Sequence, residues 1–141
     1  MKIMNVIPVY DRCRKHILMC IRSNNPYKGK LNFVGGKVEP GENGIDAAYR
    51  ELFEETSITA DDIKLVHLMD VTYYTYHIQI QVYVGRLNKD VAVYGDENKL
   101  IWLDADSDFE DMSHFAGEGN IAHIVEMIRD DIDNLLPDDN T

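Results

Sequence analysis

The sequence predicts an α+β fold, and three features carry that expectation. Short apolar runs bounded by turn residues fill the early and middle chain and read as strands. One amphipathic helical pattern is inserted among them at 42–56, and a second closes the chain at about 120–136. Strands and helices do not alternate one by one, which argues against a repeated βαβ build. The 141 residues suit one domain, 1–141, of a size that buries roughly 68–70% of its unfolded surface and needs no disulfide or metal to fold. No internal repeat or domain-scale linker interrupts them.

Taken in order, "IMNVIPVY" reads as a first strand and "HILMCIRS" as a second, with "NNPYKGK" as the turn after it. "LNFVGG" is a short strand ending in glycines. "ENGIDAAYRELFEET" has helical spacing, with Ile45, Tyr49, Leu52, Phe53 and Thr56 on its apolar side. "IKLVHLMDVTYY" and "YHIQIQVYVGRL" look like a strand pair. In the second, Ile78, Ile80, Val82 and Val84 face one way and His77, Gln79, Gln81 and Tyr83 the other. "NKDVAVYGDENK" is a polar loop with room for a short strand, and "LIWLDAD" is another strand. The last helix carries a core stripe of Ile121, Ile124, Val125, Ile128, Ile132 and Leu135. Asn120 sits where its N-cap would be, and Pro137 with "DDNT" ends it in a frayed tail.

A net charge of −11 argues against binding a nucleic-acid polymer through its phosphates, which needs surplus Lys and Arg. It leaves room for an anionic small molecule, because a bound metal ion inverts the local field. Pro8 and Asp11 break the N-terminal apolar run, so no signal-peptide core is present. No stretch approaches the roughly 18 apolar residues of a membrane span. The expectation is a soluble, cytoplasmic chain with Cys13 and Cys20 as buried reduced thiols. No Cys/His spacing resembles a zinc site, and His16, His67, His114 and His123 read as structural or surface residues. A phosphate-binding P-loop is absent: Leu31 stands where its first glycine belongs, and Val38 replaces the Ser/Thr.

The segment that carries chemistry is "GGKVEPGENGIDAAYRELFEETSI". On a helix, Glu51, Glu54 and Glu55 fall within an arc of about 100°, because i,i+3 and i,i+4 positions are neighbours. Three ionised carboxylates that close repel one another, and at least one pKa rises unless a cation arrives. Hard oxygen ligands on a rigid element suit Mg²⁺ or Mn²⁺. Arg50 can partner Glu54 at i,i+4 or reach across the turn to Glu42, and a carboxylate fork on Arg fixes the geometry of both. A solvated acidic helix face would explain the charge, but not the spacing of the acids.

That spacing resembles the signature of the Nudix hydrolases, G-x5-E-x7-R-E-U-x-E-E-x-G-U, where U is bulky and apolar. Here it runs Gly36, Glu42, Arg50, Glu51, Leu52, Glu54, Glu55, Ser57, Ile58, so the box spans 36–58 and Ser57 replaces the motif glycine. A glycine there suits a left-handed helix C-terminus; a serine in that conformation costs about 1 kcal/mol. Val34 also departs from the proline many relatives carry before the two glycines. The resemblance implies an α/β/α sandwich around a mixed sheet, and cleavage of a nucleoside diphosphate linkage with Mg²⁺ or Mn²⁺. Carried over by position, Glu51, Glu54 and Glu55 are metal ligands, joined by the Gly36 carbonyl. Arg50 and Glu42 orient them, and one of the three glutamates helps activate water.

The loop "YGDENKLIW", with Asp96 and Glu97, resembles that of the MutT-like triphosphatases, where a glutamate completes the metal site; Glu97 is the candidate here. The same likeness assigns Asn120 to a purine edge, for which an amide offers donor and acceptor together. Lys37 could hold a phosphate as a point charge. Arg22, Phe33, His77 and Gln79 are further candidates for the substrate pocket. The implied reaction is hydrolysis of a nucleoside triphosphate, an oxidised purine such as 8-oxo-dGTP foremost, to monophosphate and pyrophosphate. The alternatives are ADP-ribose or another nucleotide sugar, a dinucleoside polyphosphate, or an RNA 5′ end. A non-catalytic nucleotide sensor would show eroded metal positions, whereas all three glutamates are present. A homodimer is a further expectation, since many relatives pair.

Overall fold

The computed structural model describes residues 1–111, 113–116 and 119–137; the expected frayed tail "DDNT" lies outside them. A seven-stranded mixed sheet forms its centre. The first apolar run becomes two strands, β1 (Lys2–Val6) and β2 (Val9–Tyr10). Pro8 separates them because it has no N–H to donate, although its carbonyl still accepts from Gly85 at 3.2 Å. Both halves run parallel to the long strand β6 (Ile78–Arg86). β3 (His16–Ile21) pairs antiparallel with β2, with β4 (Leu31–Phe33) and with β7 (Lys99–Asp104). β5 (Val66–Tyr73) pairs antiparallel with β6. A 3₁₀ turn, Tyr74–Tyr76, and a left-handed His77 join those two strands.

β4 sits in a fork of the sheet. It starts against β3 and then leans onto β1 through Val34 opposite Ile7 and Lys37 opposite Met4. The Gly35–Gly36 pair therefore crosses the floor of the fork. The backbone there is too crowded for a side chain: a Cβ on Gly35 (φ +150) would lie 2.2 Å from the Asn5 carbonyl oxygen.

Helices cover both faces of the sheet, as the expected α/β/α sandwich requires. On one face α2 (Asn120–Asp130) sets Ile121, Ile124, Val125 and Ile128 on Ile17, Met19, Phe33, Val82 and Val84. On the other, α1 (Gly44–Thr56) sets Ala48 and Leu52 on Leu18, Cys20, Val34 and Tyr83. Successive residues of β3 from Ile17 to Cys20 thus feed opposite cores, which is why "ILMC" is apolar throughout rather than alternating. The expected single last helix breaks at Asp131 and resumes as α3 (Ile132–Leu135). The segment read as a polar loop with room for a short strand is a loop without one, and its Val91 and Val93 pack against the α1 core. Phe53 departs from its expected apolar face and is 55% exposed. Cys13 is exposed, not buried; Cys20 is buried. No helix among the described residues is long and apolar enough to cross a membrane.

The ends of α1 explain its fixed position. Asn43 caps the N-terminus, its side-chain oxygen accepting from the Asp46 N–H at 2.9 Å. At the C-terminus Thr56 Oγ1 donates to the Leu52 carbonyl at 2.6 Å and accepts from Ile58 N–H at 3.1 Å. Ser57 keeps the left-handed conformation of the motif glycine, φ +67, and donates its N–H to the Phe53 carbonyl at 2.9 Å. The turn is left-handed at a non-glycine residue, so Ser57→Gly is expected to stabilise the fold by about 1 kcal/mol. Chemical denaturation of the two proteins side by side measures it; an unchanged midpoint would show that the serine carries no strain.

Candidate active site

Glu51, Glu54 and Glu55 line one cavity of about 170 Å³ with Asp96, Glu97, Asn98 and Leu100. The acids come from two directions: consecutive turns of α1, and the loop entering β7. Asn98 anchors that loop, its side-chain oxygen accepting from Ser23 N–H at 3.0 Å and Ser23 Oγ–H at 2.9 Å.

Arg50 ties the carboxylates to the glycine loop. Its Nε and Nη2 grip both oxygens of Glu42, at 2.7 and 2.9 Å. Its Nη1 donates to Glu51 at 2.9 Å and Glu54 at 3.1 Å, and Nη2 also reaches the Lys37 carbonyl at 2.9 Å. Both partners expected for Arg50, Glu54 and Glu42, are therefore engaged at once. The guanidinium holds the Glu42 carboxyl at about 2, with the Glu39 N–H assisting. In turn Glu42 and then Glu51 push the Arg50 pKa up, despite its burial.

Glu55 has the opposite environment. Burial pushes its carboxyl up to about 7; the Gly35 N–H, at 3.2 Å, opposes that, while the charges of Glu51 and Glu97 add to it and that of Arg22 subtracts. A raised carboxyl binds more protons folded than unfolded, so it lowers stability as pH rises from about 4.5 to about 7. The expected loss across that window, without divalent ions, is on the order of 2 kcal/mol. Denaturation in EDTA at pH 5 and pH 8 tests this, because Glu55→Gln should remove that part of the slope.

The glycine loop fits a metal site. A Cβ on Gly36 would lie 2.3 Å from the Glu51 carboxyl carbon, so only glycine lets that carboxylate lie against the loop. The Gly36 carbonyl accepts from Asn5 N–H at 2.7 Å, which uses one of its two lone pairs. Glu51, Glu54, Glu55, Glu97 and this carbonyl are hard oxygen donors of the kind Mg²⁺ and Mn²⁺ take. Among the described residues, the three α1 carboxylates do not all converge to within 4.8 Å; the set that does is Asp11, Cys13 and His16. Arg50 and Gly35 draw the glutamates apart. The other set belongs to the turn between β2 and β3, where Asp11 accepts from Lys15 N–H, His16 N–H and the Cys13 thiol and pairs with the His16 ring. Its soft thiol and imidazole donors suit zinc-like metals better than Mg²⁺.

A second, larger cavity of about 430 Å³ opens on the α2 side, lined by Tyr27, Phe33, Tyr73, Tyr76, Ile80 and Asn120 among others. Of the candidate substrate residues, Phe33 and Asn120 line this cavity. Asn120 is not the N-cap, however: Gly119 (φ +90) takes that position, and the Asn120 amide donates instead to the Tyr73 hydroxyl. The other four expected substrate residues lie elsewhere. Gln79 points to the opposite face, where it accepts from Gln81 at 3.3 Å, because β6 alternates and Ile78 and Ile80 take the cavity side. His77 is an exposed turn residue. Arg22 donates to the Pro26 carbonyl at 2.7 Å and does not line the large cavity, although its charge lowers the Glu55 pKa. Lys37 is exposed and contributes its carbonyl to Arg50. Sequence reasoning did not single out Tyr27, Asn32, Tyr73 and Tyr76, which line this cavity, or Asn5, which bonds to Gly36. The aromatic cluster "YYTY" is a visible signal, but not that Tyr73 ends β5 while Tyr74–Tyr76 turn as a 3₁₀ helix.

A mixed sheet thus lies between two helical layers, with a glycine loop and a carboxylate helix at its fork. The NUDIX domain family matches residues 2–116, and the chain belongs to that family. It is 28% identical over 97 residues to Nudix hydrolase 3 of Caenorhabditis elegans, a match covering 63% of this chain and 40% of that protein. Among solved structures it resembles the C. elegans Ap4A hydrolase binary complex, with a TM-score of 0.75, 16% identity, and coverage of 94% of this chain and 98% of that one. It also resembles the Escherichia coli dihydroneopterin triphosphate pyrophosphohydrolase, with a TM-score of 0.69, 19% identity, and coverage of 91% and 95%. At these identities the two structures bear on the fold alone.

Proposed function

We propose that the chain is a Mg²⁺- or Mn²⁺-dependent Nudix hydrolase of the MutT-like kind, converting a nucleoside triphosphate to its monophosphate and pyrophosphate. One observation carries this reading: residues 33–36 connect the two cavities. Phe33 lines the large cavity, and two residues later Gly35 donates to Glu55 while Gly36 lies against Glu51. A base held in the large cavity would thus have its phosphates led toward the carboxylates. The bound cation would neutralise phosphate oxygens and make water more acidic. The chain's own part is to gather Glu51, Glu54, Glu55 and Glu97 as oxygen donors around one cavity and to let one glutamate take the water's proton. Arg22, close enough to lower the Glu55 pKa, would add positive charge beside the phosphates.

An oxidised purine such as 8-oxo-dGTP is the specific substrate we favour, because the Asn120 and Asn32 amides and the Tyr73 hydroxyl set polar groups among the apolar and aromatic residues of the cavity. Asn120→Ala is expected to change discrimination among bases by about 3- to 10-fold, the worth of one hydrogen bond, while altering kcat for the best substrate less. Equal losses for all bases would reduce Asn120 to a partner for Tyr73. The alternative substrates are dinucleoside polyphosphates, ADP-ribose or other nucleotide sugars, and RNA 5′ ends. A panel of these nucleotides with Mg²⁺, scored for pyrophosphate against phosphate or mononucleotide release, tests the reading. Pyrophosphate from a triphosphate supports it; cleavage confined to the other classes overturns it. The charge of −11 further favours a small nucleotide over a nucleic-acid polymer.

A further inference from the structure

Asn5 is the one polar residue in the run "IMNVI", and it is 2% exposed. Continuing the register set by Met4 opposite Lys37 and Ile7 opposite Val34 places Asn5 opposite Gly36. In an antiparallel ladder such a pair exchanges two main-chain bonds. The first is present, Asn5 N–H to the Gly36 carbonyl at 2.7 Å. The second would run from Gly36 N–H to the Asn5 carbonyl, but that carbonyl is pressed against Gly35, where a Cβ would lie 2.2 Å away. The Gly36 N–H goes instead to the Asn5 side-chain oxygen, at 2.8 Å. One residue thus holds the N–H and the carbonyl of Gly36 through two different groups.

The other half of the amide sharpens the point. The Asn5 Nδ2 is buried without a hydrogen-bond partner, an expensive state for a donor. Packing alone would favour an apolar residue between Met4 and Val6. The oxygen is the group that the site uses.

We propose that Asn5 is a positioning residue of the metal site: its side-chain oxygen replaces a missing ladder acceptor and fixes the Gly36 peptide against the Glu51 carboxylate. This rests on the proposed function, since Gly36 and Glu51 matter here as cation ligands. Without that oxygen the Gly36 N–H loses its partner, the Gly36 peptide is held only by the Asn5 N–H on its carbonyl and the Gly35 N–H on Glu55, and its carbonyl and Glu51 keep a less fixed distance.

The test is Mn²⁺ binding, followed by electron paramagnetic resonance, in the wild type, Asn5→Ala, Asn5→Asp and Glu54→Gln, with folding checked by circular dichroism. Asn5→Ala is expected to weaken Mn²⁺ binding by about 10-fold, the usual effect of removing a group that orients a metal ligand. Asn5→Asp keeps an acceptor for Gly36 and should stay within about 3-fold of wild type. The Gly36 amide should exchange with solvent faster in Asn5→Ala alone. If Asn5→Ala fails to fold, Asn5→Asp decides: a 10-fold loss there, with the acceptor kept, overturns the proposal. Wild-type Mn²⁺ affinity in folded Asn5→Ala, while Glu54→Gln is impaired, overturns this inference and leaves the proposed function standing. Unchanged binding in Glu54→Gln overturns both.

Discussion

Glu54→Gln is expected to lower kcat by roughly 10³-fold, as removal of a general base or a metal-ligating charge does, with the fold left intact. The two halves of that expectation have separate grounds. Glu54 is the most open of the three acids, with a side chain 54% exposed, and its single side-chain bond is to Arg50 at 3.1 Å. An exposed i,i+4 pair contributes about 0.3–0.5 kcal/mol, and a glutamine oxygen can still accept from Arg50. Stability should therefore move by less than about 0.5 kcal/mol. The chemistry should not survive, because a neutral amide neither takes a proton from water nor offers a charged oxygen to a cation. Steady-state rates at saturating Mg²⁺, beside thermal unfolding of both proteins, separate the two effects. Wild-type turnover in this variant would remove Glu54 from the site altogether.

How much of this was legible beforehand follows the physical range of each signal. The box from Gly36 to Ile58 is a local pattern, and its helix, its acidic face and the Arg50 contacts are all set by spacing along one segment. The double grip of Arg50 on Glu42 could be anticipated because a guanidinium offers more donors than one carboxylate uses. Glu97 was reachable only through likeness to relatives, since nothing local says that its loop folds back toward α1. The strand faces were harder. Gln79 and Ile80 alternate plainly, but period-2 alternation does not say which face borders the cavity when helices cover both. The cap at Asn120 failed for a similar reason: a good capping residue one position inside the helix was more useful to Tyr73 than to the backbone. Asn5 stood out as a lone polar letter, yet its use depends on a ladder irregularity 31 residues away in sequence, which no window on the sequence contains.

Arg50→Met is expected to cost about 2–4 kcal/mol of stability, in the range for breaking a partly buried ion pair, and to reduce activity as well. Arg50 makes five hydrogen bonds to Glu42, Glu51, Glu54 and the Lys37 carbonyl. Removing it leaves the Glu42 and Glu51 carboxylates, both largely shielded from solvent, without their cation. The methionine keeps most of the packing volume, so the loss reports charge and geometry. Arg50→Lys should recover little, because one ammonium cannot occupy both oxygens of Glu42 and still span to Glu51 and Glu54. The acid limb of the stability curve supplies an independent check. Glu42 is held near 2 against an ordinary 4.5, so its contribution is present above about 4.5 and disappears as pH falls toward 2. That part of the slope should be absent in Arg50→Met. Mg²⁺ should narrow the stability gap at neutral pH, since a divalent cation among Glu51, Glu54 and Glu55 takes over part of the neutralisation that Arg50 provides. A variant as stable as wild type in EDTA, with its acid slope unchanged, would mean that the fork on Glu42 is a surface ornament and that the glutamates are positioned by α1 alone.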